Sequence, residues 1–105
     1  MNVSFVNNLN LSGNTLGPRG VKELRDGIAM VSYDELTQTY GGLRMLNLRD
    51  TMLGDAGGYE VAKLIAINIP TLVRLNISDN NIGDDGMCSI LQALQQNTHL
   101  QMVIC

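Results

Sequence analysis

At 105 residues, with 45% apolar and 16% charged side chains, the chain has room for one domain and the composition of an ordered fold. A net charge of −3 without a basic run excludes binding to nucleic acid through clustered Lys and Arg. No apolar run approaches the roughly 18 residues of a membrane helix, Met1 to Asn10 carries no leader pattern, and Cys88 and Cys105 are too few for a disulfide framework, so an intracellular, cytoplasmic setting away from membranes is expected.

The first element is an extended segment, Val6-x-x-Leu9-x-Leu11, followed by a turn through Asn14, Leu16 and Gly17. Its alternating leucines have the period of a strand. Gly20 then begins a stretch with Leu24, Gly27 and Ile28 at offsets of four, seven and eight, which places them on one face of a helix. The segment from Ser32 through Tyr33, Asp34, Glu35 and Tyr40 to Gly41-Gly42 departs from this pattern. It is expected to hold an extended stretch or a second short helix, closed by a loop at the paired glycines.

The same unit returns at Leu43-x-x-Leu46-x-Leu48-x-x-Thr51-x-Leu53-Gly54, with a helix from Gly57 through Val61, Leu64 and Ile65. It returns again at Leu72-x-x-Leu75-x-Ile77-x-x-Asn80-x-Ile82-Gly83, with Gly86, Ile90, Ala93 and Leu94. A fourth copy begins at Leu100-x-x-Val103-x-Cys105. Gly57 and Gly86 are 29 residues apart, Leu72 and Leu100 are 28 apart, and Gly20 and Gly57 are 37 apart, so the first unit carries 8 extra residues. One domain over 1–105 results, with repeats at about 6–42, 43–71 and 72–99, a partial repeat at 100–105 and the insertion at about 32–42. A repeat at this period stacks its neighbours into one core, because no unit can bury its apolar face alone.

Roles follow from residue type. Leu46 and Leu75 are wedged between repeats. Asn14 and Asn80 stand where the chain leaves the strand, and an amide there can donate to carbonyls and accept from amides of the adjacent repeat. Thr51 holds that place in the second repeat and spans fewer partners, which predicts a weaker ladder. Gly17, Gly54 and Gly83 are expected in turns that need an unusual dihedral. Asp55 and Asp84 are expected to cap the helices they begin, with Pro18 serving as a helix start in the first repeat.

These motifs resemble the leucine-rich repeats of the 28/29-residue, ribonuclease-inhibitor-like class, over nearly the whole chain from Val6 to Cys105. The resemblance implies an α/β horseshoe of about three and a half repeats, with parallel strands on the concave face and helices on the convex face. Members of this class act as protein-binding surfaces, as activators of small GTPases and as parts of cytoskeletal, ciliary and immune-sensing assemblies. The polar caps of such solenoids are not visible here, so the open repeat ends are expected to be covered by other chain segments or subunits, which would shield the strand bearing Met102, Val103 and Ile104.

Concave side chains are those between the core positions: Asn8, Asn10 and Ser12, then Met45, Asn47 and Arg49, then Arg74, Asn76 and Ser78, with Asp50 and Asp79 at the rim. Met45, Asn47, Arg49, Asp50, Arg74, Asn76, Ser78 and Asp79 are the candidate partner-binding residues, with the two arginines as anchors. Tyr33 and Tyr40 add a candidate contact from the insertion. No catalytic residue, metal site or cofactor is expected. Asp55, Asp84 and Asp85 read as repeat features at helix starts, His99 as a surface residue, Cys88 as a buried structural thiol and Cys105 as a small core hydrophobe. Gly54-Asp55-Ala56-Gly57-Gly58 lacks the Lys-Ser/Thr ending of a phosphate loop. The expectation is a non-catalytic interaction module or scaffold subunit that binds a protein on its concave strands. The alternatives are regulation of a small GTPase and a purely structural spacer in a cytoskeletal or ciliary complex.

Overall fold

A computed structural model describes residues 8–34, 39–40, 43–69 and 71–105. Four three-residue strands, β1 (Asn8–Asn10), β4 (Met45–Asn47), β5 (Arg74–Asn76) and β6 (Met102–Ile104), form one parallel sheet in the order β1-β4-β5-β6. Three helices, α1 (Gly17–Ser32), α2 (Gly54–Ile67) and α3 (Asp84–Gln96), follow the first three of these strands. The result is an α/β solenoid of the kind the resemblance implies, with the parallel strands forming one face and the helices the other.

The register is the sequence repeat made physical. Leu9, Leu46, Leu75 and Val103 are paired across the sheet as one row. Leu46 and Leu75 are each only 1% exposed, and they join Leu48, Leu53, Val61, Leu64, Ile65, Ile77 and Ile90 in the core. Each helix carries a glycine one turn in because the preceding leucine or isoleucine folds back beneath it. A Cβ on Gly57 would lie 2.4 Å from Leu53 Cβ, and one on Gly86 would lie 2.7 Å from Ile82 Cγ2.

Asn80 makes the inter-repeat ladder. Its Nδ2 donates to Leu48 O (2.7 Å) and Ile77 O (2.9 Å), while its Oδ1 accepts from Thr51 N (2.8 Å) and Leu53 N (3.4 Å). Thr51 is fully buried but sends its hydroxyl to Leu48 O (2.8 Å) inside its own repeat. Asn14 is exposed, and among the described residues its side chain donates only to Leu11 O, also within its own repeat.

Several expectations are corrected. Asp55 does not cap α2: its Oδ1 accepts from Gly83 N (2.7 Å) and Gly86 N (3.2 Å), so it caps the N-terminus of α3 in the next repeat. The start of α2 has no side-chain cap, and Asp84 does not cap α3 but is its first helical residue, with Gly83 at the cap position. Gly17 (φ 66°) and Gly54 (φ 61°) are left-handed, but Gly83 is not (φ −83°). A side chain there would instead crowd the Asp55 carboxylate, at 3.1 Å from its Oδ1. Further left-handed residues lie earlier in the turns, at Gly13, at Asp50 and Met52, and at Asp79 and Asn81. Cys88 is exposed because it lies on the face of α3 turned away from α2, and Cys105 is exposed because β6 is covered by β5 on one side only among the described residues.

The insertion brings no second helix among the described residues. Instead α1 runs on to Ser32, and β2 (Tyr33–Asp34) and β3 (Thr39–Tyr40) then form an antiparallel ladder. Residues 35–38 and the Gly41-Gly42 closure lie outside the described residues.

Candidate functional site

The concave face is a grid set by strand register. One row runs Asn8, Met45, Arg74, Met102, and the next runs Asn10, Asn47, Asn76, Ile104. Neighbours in a row are about 4.8 Å apart along the hydrogen-bonding direction. The face forms a shallow groove of about 340 Å3, with Met45, Arg74 and Met102 along it and Asn47, Asn76 and Ile104 beside them. Met102 and Ile104 were not among the sequence candidates, although the fourth copy of the repeat places them on these rows. With Met45 they make up the apolar part of the face, and they are 48% and 47% exposed.

The asparagine row is partly structural. Asn10 Oδ1 accepts from Ser12 N (3.0 Å) and Oγ (2.6 Å), Asn47 Oδ1 from Arg49 N (3.0 Å), and Asn76 Oδ1 from Ser78 N (3.0 Å) and Oγ (2.7 Å). Because a backbone N–H can only donate, each contact fixes which end of the amide is oxygen. The acceptor of each amide is therefore used to hold the strand exit. The Nδ2 groups of Asn10 and Asn76 have no hydrogen-bond partner among the described residues.

The two arginines differ. Arg49 Nε donates to Asp79 Oδ2 at 2.7 Å, and both side chains are exposed, so two candidate binding residues from adjacent repeats pair with each other. Asp50 and Asp79 hold the left-handed turn position, a conformation that Asp tolerates better than most residues. Arg74 is exposed and lies against a thioether, with Nη1 3.9 Å from Met45 Sδ, and it has no carboxylate partner among the described residues. Ser78 bonds to Asn76 as above. Tyr33 and Tyr40 face each other in the backbone register of β2 and β3, outside the four-stranded sheet, and the contacts of their rings lie outside the described residues.

On the convex side, Glu60 of α2 accepts from Arg25 of α1 and lies 3.5 Å from Lys63 Nζ. Partial burial pushes the Glu60 carboxyl up, but the hydrogen bond from Arg25 and the charges of Lys63 and Arg25 outweigh it and hold the group below its ordinary value. Among the described residues no cluster of three His, Cys, Asp or Glu side chains is arranged to hold a metal ion. No helix of the described residues is long and apolar enough to cross a membrane. His99 is half-buried, with its backbone N–H bonded to Asn97 Oδ1.

A family model described as "Leucine Rich repeat" matches residues 4–24 and 68–91. Pig (Sus scrofa) ribonuclease inhibitor is 34% identical over 88 residues. That alignment covers 84% of this chain but 17% of the inhibitor, so the chain spans about a sixth of the length of this curated relative.

Proposed function

The chain belongs to the leucine-rich repeat family, of the ribonuclease-inhibitor-like class, and on that premise we propose that it binds a protein partner through its concave sheet. The repeat is a protein–protein interaction module, a non-catalytic binding fold. Our finer reading is that the groove along β4, β5 and β6 is the contact surface and that the chain serves within a larger intracellular assembly. The observation that carries it is the mixed groove itself, where Arg74 stands in register between Met45 and Met102 with Asn76 beside it. An arginine among adaptable apolar side chains is the composition expected at an interface core.

The test is affinity capture from cell lysate, using the chain, an Arg49→Glu/Arg74→Glu variant and a convex-face control, Lys63→Glu. A stoichiometric partner retained by the control and lost with the double variant is the expected result. A partner retained by both variants would move the contact surface off the concave sheet.

A further inference from the structure

The concave face is one-sided in its hydrogen bonding. Asn10, Asn47 and Asn76 spend their amide oxygens on the residue two positions on, and Asn10 and Asn76 keep Nδ2 donors without a partner among the described residues. Arg49 is neutralised by Asp79 across the repeat boundary. Arg74 therefore stands as the unneutralised cation of the groove among the described residues, one strand step from Met45 and one from Met102. What the groove offers is donors and positive charge between apolar walls.

Resting on the proposed concave binding, we infer that the partner presents an Asp or Glu side chain flanked by apolar side chains, and that this carboxylate seats on Arg74 with the Asn76 amide beside it. A guanidinium matches a carboxylate with two parallel hydrogen bonds. Lining the walls with methionine lets the flanking contacts adapt in shape. The acidic balance of the chain as a whole, −3, gives an acidic partner no long-range attraction, so the preference arises at contact. Arg74 is then the determinant of specificity, and Arg49 is a structural tie between repeats.

The probe is a phage-displayed library of random short peptides, panned on the chain and on Arg74→Glu, Arg74→Gln, Lys63→Gln and Ile104→Asp variants, each checked for native circular dichroism. Peptides selected on the unaltered chain should carry an Asp or Glu next to apolar residues. They should lose roughly tenfold or more in affinity on Arg74→Gln, as an anchor arginine does. Selection on Arg74→Glu should turn to Lys or Arg at the same place, while Lys63→Gln, on the convex side, leaves the preference unchanged. Peptides that bind the groove, as shown by loss on Ile104→Asp, but carry no acidic residue or ignore Arg74→Gln would overturn this inference and leave concave binding standing. Peptides indifferent to Arg74→Gln and Ile104→Asp alike would overturn both, and a library yielding no binder would count against both.

Discussion

The turn between the second and third repeats is stitched by side-chain hydrogen bonds to backbone, whereas among the described residues no such bond crosses the turn between the first and second. At the later boundary Asn80 reaches back to Leu48 O, Thr51 N and Leu53 N, and Asp55 reaches forward to Gly83 N and Gly86 N. At the earlier boundary the same two positions hold Thr51 and Pro18, and neither can reproduce those contacts. Backbone bonds cross both: Gly17 N donates to Thr51 O (3.0 Å) and Gly54 N to Asn80 O (2.8 Å). The first turn compensates locally, with Asn14 N bonded to Leu11 O and Leu16 N to Asn14 O, so the amides that Asn80 serves in the second repeat are satisfied within the first. In place of the capping pair, the earlier boundary has the Arg25–Glu60 ion pair between α1 and α2. One position thus switches a repeat from closing on its neighbour to closing on itself.

The comparison can be broken at the core of the later boundary. Leu75→Ala should destabilise the chain by about 2–5 kcal/mol in urea melts, because the cavity opens between packed repeats. Next comes Asn80→Ala, expected to remove about 1–3 kcal/mol by stranding buried donors and acceptors. An unchanged melt would mean that the ladder carries no weight. The comparison sharpens if the missing parts are supplied. Pro18→Asp should cap α2 as Asp55 caps α3 and add about 0.5–1 kcal/mol, read as slower amide exchange at the start of α2. Thr51→Asn should add less, at most roughly 0.5 kcal/mol, since the amides it would serve already have partners.

Acid gives the smallest effect, and the one most local to the earlier boundary. The Glu60 carboxyl is held below its ordinary value of 4.5, so its pairing contributes fully above that value. The contribution is lost as pH falls through the lowered folded-state value. Amide exchange in α1 should accelerate over that range before exchange in α3 does, and Arg25→Met should abolish the difference.

Much of the fold was legible because the repeat supplies its own register. Leu9, Leu46, Leu75 and Val103 align in the sequence as they align in space, and an asparagine at the strand exit has few other ways to satisfy the backbone. What spacing does not convey is direction across a boundary. Asp55 stands at the start of α2 in sequence, and only packing shows that its carboxylate serves α3. The Arg49–Asp79 pair joins residues 30 apart and exists only where strands lie side by side, so sequence spacing does not distinguish Arg49 from Arg74. Exposure of Cys88 depends on which helix face meets a neighbour, and a helical period alone leaves that open where no following helix is described.

Gly58 and Gly86 show what helix spacing does to shape. A Cβ on Gly58 would lie 3.1 Å from Gly86 Cα, so α2 and α3 touch nearly backbone to backbone. In the first repeat the place of Gly58 is held by Val21, which is fully buried. Strands keep one spacing whatever their side chains, so the width of each wedge is set on the helix side. A glycine at 58 therefore favours a flatter stack than the bulkier Val21 does.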